Sequence, residues 1–273
     1  MVARNVNPND FQVNFNLGYI EFLRKAFEKS SVYFLHARDA MPDDIQTMRL
    51  LGLSLYKIQK YGDASVFLEK ATEYEPDDKE SLFALAQCYY ETGNKEKALL
   101  IFSHLRTDVK LGAKAAIMSG SINMNQKQYN KAIMDFEIGL RHQGMDPETR
   151  TELLYRLALA YVKIQEIERA LNLLREVDSL NPGYKDVQFL ISQYQELSSN
   201  KNLQIFLLAP NSEFVTLCRK IAIDFFSKSR AKIIDISIIK NQYTDILAEV
   251  STKKWEDIIL FRFIRSSGIV GEL

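Results

Sequence analysis

A step of 34 residues runs through the first half of the chain. It separates Pro8, Pro42 and Pro76; Gly18, Gly52, Ala86 and Gly120; Ser30, Ala64, Ala98 and Ala132; and Phe34, Leu68, Phe102 and Phe136. Further on, every column slips together by four residues, to Ala158, Ala170 and Pro182, and one short insertion, Pro147–Arg150, accounts for all of it. A fixed period of this length demands one supersecondary unit per repeat. Such a unit is too small to bury its own apolar face and must stack on its neighbours.

Each unit reads as two amphipathic helices joined by a tight turn. Small residues in the Gly18 and Ser30 columns mark where the two helices cross, since a larger side chain there would push them apart. Large apolar residues (Leu17, Leu51, Leu85, Leu157 and the Phe34 column) fill the space between turns. Proline near the end of a unit stops the second helix, and the acidic tails Pro42–Asp44 and Pro76–Asp78 place a cap and negative charge at the next helix N-terminus.

Leu51, Gly52, Ala64, Leu68, Ala71 and Pro76 occupy six of eight marker positions of a known pattern, and at these residues the unit resembles a tetratricopeptide (TPR) repeat. Met48 stands where that family favours Trp, and Leu55 where it favours Tyr. Five units are expected: 11–44, 45–78, 79–112, 113–146 and 151–184. The third and fourth depart most, with Lys110 and Gly144 in place of the closing Pro and Ser119 in place of Leu. Asn7–Asp10 reads as the closing turn of a still earlier repeat, so residues 1–10 are expected to be the end of a preceding unit, with Met1–Arg4 a cloning remnant.

The resemblance implies a mainly α fold, a TPR α-solenoid in which helix pairs wind into a right-handed superhelix, followed here by a small α/β module. It also implies a concave wall built from the first helix of each pair. In that register the expected partner-contacting residues are Phe15, Tyr19, Phe22, Arg49, Leu53, Tyr56, Phe83, Gln87, Tyr90, Ile117 and Tyr155, with Ser121, Met124, Leu159 and Val162 completing the wall. Some TPR proteins grip a peptide C-terminus with a Lys/Asn/Arg carboxylate clamp. The corresponding positions here hold Phe15, Tyr19, Arg49, Leu53, Phe83 and Gln87, from which no clamp can be assembled. An amphipathic helix or a hydrophobic extended segment suits such a wall better. The competing reading is that these aromatics are simply core.

Residues 185–199 read as a capping helix and linker, with Val187, Leu190, Ile191 and Tyr194 on one stripe, and the polar run Ser198–Asn202 as the domain boundary. Residues 203–273 read as a small α/β module: an apolar run Leu203–Ala209, a helix Ser212–Lys228 with Ser212 as N-cap, and strands Lys232–Ile239, Asp245–Val250 and Asp257–Ile264 separated by turns at Asn241-Gln242 and Thr252–Lys254. Gly268–Leu273 reads as the opening of a further helix, so the module is expected to be truncated. This order weakly resembles the first half of a restriction-endonuclease-like (Mrr-type) core, with Asp245 where that family carries its acid. Phe261-Arg262-Phe263 stands where the Gln/Glu-x-Lys triplet belongs, and phenylalanines can neither hold a cation nor activate water. The resemblance therefore implies a degenerate nuclease fold. Asp245 as a turn residue or strand cap is the simpler reading, and a nuclease-like or nucleic-acid-binding effector is the alternative function.

Thirty-five basic and 35 acidic residues balance, so the chain has no bulk signature of a polyanion binder. The basic cluster Arg219, Lys220, Lys228, Arg230 and Lys232 is diluted by Asp224 and Asp235, without interleaved aromatics. Cys88 and Cys218 cannot build a disulfide scaffold or a cysteine metal site, and Cys218 lies on an apolar stripe as an inert thiol. His36, His104 and His142 are isolated and read as surface or packing residues. No phosphate loop or hydrolase motif is present. The expectation is a non-enzymatic interaction scaffold or adaptor with no catalytic residues, cofactor or metal. Its partner is a hydrophobic or amphipathic protein segment, and nucleic acid is not expected to bind. Oligomeric state and compartment are not set by the sequence; the cytoplasm is the default, with periplasm or envelope possible behind an upstream signal.

Overall fold

The structure, a computed structural model, describes residues 10–227, 229–239 and 243–265. The expected turns at Asn7–Asn9 and Asn241-Gln242, and the expected helix opening at Gly268–Leu273, lie outside these residues. Thirteen helices among the described residues precede a three-stranded sheet. They are α1 (Phe11–Leu23), α2 (Phe27–Ala40), α3 (Ile45–Lys57), α4 (Tyr61–Tyr74), α5 (Lys79–Glu91), α6 (Lys95–Leu105), α7 (Gly112–Asn125), α8 (Tyr129–Leu140), α9 (Pro147–Lys163), α10 (Ile167–Leu180), α11 (Val187–Ser199), α12 (Lys201–Leu208) and α13 (Asn211–Phe225). The strands are β1 (Arg230–Ile239), β2 (Tyr243–Ser251) and β3 (Glu256–Ile264). The chain divides into two compact units, residues 1–160 and 161–273.

From α1 to α8 each helix packs on the next, and the 34-residue columns have a direct steric meaning. A Cβ on Gly18 would lie 2.8 Å from the Phe34 ring, and one on Gly52 would lie 2.7 Å from Leu68. A Cβ on Gly120 would enter the Phe136 ring. The small column of the first helix is thus the seat of the large column of the second, and Phe34, Leu68, Phe102 and Phe136 are all fully buried. Ser30 adds a polar tie, its hydroxyl donating to Gly18 O at 2.9 Å and lying 3.1 Å from the Ser54 hydroxyl of the next pair. Asp10, Asp44 and Asp78 cap α1, α3 and α5, accepting from Val13, Thr47 and Ser81 amides, as N-cap carboxylates do.

The turns inside the pairs repeat as well. Lys25, Gln59, Gly93 and Lys127, one period apart, all take a left-handed backbone, with φ of 60°, 62°, 88° and 60°. The following amide closes a six-residue loop back onto the first helix (Ala26 to Glu21 O, Lys60 to Leu55 O, Asn94 to Tyr89 O, Gln128 to Asn123 O). This is the Schellman helix stop, for which glycine is the preferred residue. Glycine occupies only one of the four places.

The junction between the third and fourth pairs lacks the closing proline and is held differently. Arg106 ion-pairs with Asp135, which is 1 % exposed and also accepts from Asn123 Nδ2 at 2.8 Å. The His142 ring bonds Arg106 O at 2.7 Å and lies against Gly112, where a Cβ would collide with it. His142 is thus the packing residue of this junction.

In the second unit α11 lays Val187, Leu190, Tyr194 and Leu197 inward and packs on α10, the position of a capping helix. Leu203–Ala209 is not merely an apolar run: it forms most of α12, which Asn200 caps by accepting from Leu203 N at 3.0 Å. Two helices, not one, therefore precede the strands. Ser212 is not the N-cap of α13, because that helix already starts at Asn211, behind Pro210. The strands form an antiparallel meander in the order β1-β2-β3, with a bulge at Ile234. α13 covers the inner face through Phe214, Cys218 and Ala222 against Ile246, with Phe261 and Phe263 beside them. Arg265 closes the edge, donating to Phe206 O at 2.9 Å near the α12 C-terminus while stacking over Phe214.

Two substitutions test this account by urea unfolding. Gly120→Ala should cost about 1–3 kcal/mol, because the buried Phe136 ring has no room to yield. Gln59→Gly should gain up to about 1 kcal/mol by relieving a left-handed non-glycine residue.

Candidate functional site

The first helices of successive pairs lie side by side, α1 on α3 and α3 on α5, so their outward faces form one wall. The expected contact residues do not share one fate on it. Leu53 is buried, at 2 % exposed, and belongs to the core. Phe15 and Phe22 are half-buried and turn toward α2 and its start, edge-on to Phe34 (5.9 Å between centroids) and Phe27 (5.5 Å). Tyr90 packs half-buried against the core. Tyr19 is well exposed, at 44 %. Tyr155 sits half-buried on α9.

Arg49 and the Tyr56–Gln87 pair tie adjacent repeats together. Arg49 ion-pairs with Asp78 and lies 3.6 Å from Glu80. The Tyr56 hydroxyl donates to the Gln87 carboxamide oxygen. These polar groups of the wall are engaged within the protein.

Five of the expected residues do converge. Leu53, Tyr56, Phe83, Gln87 and Ile117 line a pocket of about 470 Å³ shared by α3, α5 and α7. Phe83 is its firm side, held edge-on at 5.4 Å by the buried Phe102. Lys57, Glu80, Ala84, Leu111, Lys114 and Met118 complete the lining. These were missed in the sequence because they fall outside the wall register, although Leu111 adjoins Lys110, the position where the repeat pattern loses its proline.

Electrostatics favours an ionised Asp78. Burial raises its carboxyl, but hydrogen bonds from Arg49 and Ser81 outweigh this and hold it below the ordinary carboxylate range. The two thiols behave oppositely: burial pushes Cys88 up to about 12 and Cys218 up to about 11, so neither is poised for nucleophilic chemistry.

Asp245 lies within a strand and is not a turn residue. It is the third residue of β2, directly opposite Arg262 of β3, and both carboxylate oxygens accept from that guanidinium at 2.8 Å. The Arg262 hydrogen bonds hold its carboxyl below the ordinary range. Phe261 and Phe263 point to the core while Arg262 points out, as strand alternation requires. Among the described residues no three His, Cys, Asp or Glu side chains are grouped to hold a metal ion, and no helix is long and apolar enough to cross a membrane.

With this geometry in view, residues 58–139 match the family described as anaphase-promoting complex (cyclosome) subunit 3, and residues 151–184, the fifth expected unit, match the tetratricopeptide repeat. No curated protein matches the chain. Among solved structures it is similar to YrrB, titled a TPR protein with an unusual peptide-binding site (14 % identity, TM-score 0.57, 71 % of this chain and 96 % of that one). It is also similar to MamA (16 %, 0.56, 66 % and 94 %) and to Pseudomonas aeruginosa PilF (16 %, 0.53, 77 % and 97 %). These likenesses concern the fold. Residues 151–184 carry a tetratricopeptide repeat, the helical part shares the fold of tetratricopeptide-repeat structures, and nothing in the comparisons supports an endonuclease-like core.

Because the folded Asp78 is more acidic than an unfolded aspartate, its stabilising contribution is complete above about pH 4 and is lost as the pH falls through its lower folded value. Asp78→Asn, which can still cap α5, should cost about 1 kcal/mol at neutral pH and flatten the acid limb of a urea-unfolding series.

Proposed function

We propose that this tetratricopeptide-repeat chain is a non-enzymatic scaffold that holds a partner polypeptide, as an amphipathic helix or a hydrophobic extended segment, on the wall made by α1, α3, α5 and α7. The observation carrying this reading is the pocket at Phe83 and Ile117. It is an apolar recess lined from three successive first helices, with a ring held firm from behind, and such recesses are where anchoring side chains deliver most of their binding energy. The remaining wall residues shape the approach. Arg49, Tyr56 and Gln87 are structural ties, and the carboxylate clamp of some relatives has no counterpart. Asp245, the acid on which the nuclease-like alternative rests, is tied to Arg262 across the sheet, and no reaction is assigned to the second unit.

The test is site-specific photocrosslinking in cells, with a benzophenone amino acid at Ile117 or at Tyr74, an exposed residue ending α4. The Ile117 probe should capture a discrete polypeptide, and Phe83→Ala should abolish that capture while helical circular dichroism is retained. Equal capture at Tyr74, or capture unchanged by Phe83→Ala, would reject the groove.

A further inference from the structure

Resting on the groove reading above, the structure assigns a charge to the segment that fills it: we infer that the Phe83–Ile117 pocket takes a bulky apolar side chain from an acidic stretch of polypeptide. Two cations of the lining make no ion pair, whereas the other polar side chains each have a partner inside the protein. Gln87 is bonded by Tyr56, and Glu80 lies 3.6 Å from Arg49. The two cations are Lys57, at the end of α3, and Lys114, in the first turn of α7. Both are exposed, and no described carboxylate comes within ion-pair distance of either ammonium. Lys57 instead lies 5.2 Å over the Tyr56 ring, and Lys114 only influences Asp146 through space.

An apolar floor with two lysines at its rim that make no ion pair, against one carboxylate, Glu80, favours an apolar side chain with acidic neighbours. A leucine or phenylalanine side chain would fill the recess, and flanking aspartates or glutamates would meet the lysines. A basic segment would be repelled by both lysines and find one carboxylate, Glu80, which Arg49 approaches at 3.6 Å. The inference is distinct from terminal-carboxylate capture, because internal side-chain carboxylates suffice. It would give the wall a choice among partners although the chain carries no net charge, since charge across an interface sets which partner approaches more than how tightly any partner packs.

Fluorescence anisotropy with three end-blocked, dye-labelled peptides tests it, each with a central Leu-Phe pair flanked on both sides by two Glu, two Ser or two Lys. The Glu peptide should bind about tenfold more tightly than the Ser peptide, with the Lys peptide weakest and the preference fading as salt is added. The double variant Lys57→Glu/Lys114→Glu alters only exposed side chains and should reverse the order. Equal binding of all three peptides, lost together in Phe83→Ala, would overturn the acidic preference and leave the groove standing. A Glu preference that survives the double reversal would also overturn it, by placing the charge elsewhere. Binding of none of the peptides would overturn both readings.

Discussion

The contact between a bare Cα on the first helix of a pair and a large apolar side chain on the second sets the geometry from which the rest of the first unit follows. Phe34 over Gly18, Leu68 over Gly52 and Phe136 over Gly120 bring paired helices closer than any Cβ would allow, and the side chain that closes the gap is itself completely buried. Close approach fixes how the helices cross. It also brings Ser30 within bonding reach of both Gly18 O and the Ser54 hydroxyl of the next pair, so the spacing within one pair is passed on to its neighbour.

Stacking then makes conflicting demands on the wall. The first helices must touch one another to build it, and several side chains that could have faced a partner are used for that purpose: Arg49 by Asp78, Tyr56 and Gln87 by each other, Leu53 by the core. An open recess is left at α3, α5 and α7, beside the junction where Lys110 replaces the closing proline and the buried Arg106–Asp135–Asn123 group replaces it as the fastening. A buried ion pair of this kind is destabilising unless both partners are present. The irregular repeat is therefore anchored by a specific polar contact where its neighbours rely on chain stiffness.

The second unit shows how a local pattern misleads when its partner strand is unknown. Asp245 near the start of a strand invites a reading as a catalytic acid, or as a cap, because one strand in isolation does not say what lies opposite. The antiparallel register puts Arg262 there, and the pair becomes a bidentate cross-strand tie. Likewise Leu203–Ala209 carries no clear period over so few residues, yet Asn200 in front of it and Arg265 from far along the chain supply the two caps that make it a helix.

Period, column identity and helix-stopping residues are local properties that recur, and a recurring local property can be read without coordinates. That is why the helix pairs and their small-to-large contacts were legible from residue spacing, whereas the candidate wall came from the family resemblance. The left-handed turn residues were not, because Lys25, Gln59 and Lys127 take a conformation their side chains disfavour and hold it only because the stacked helices on either side require it. Nor was the division of the wall into spent and available side chains. Whether Arg49 faces a partner or Asp78, and whether Lys57 and Lys114 share one pocket, depends on residues about 30 to 60 positions apart meeting in space. Only the packed chain brings such distant groups together.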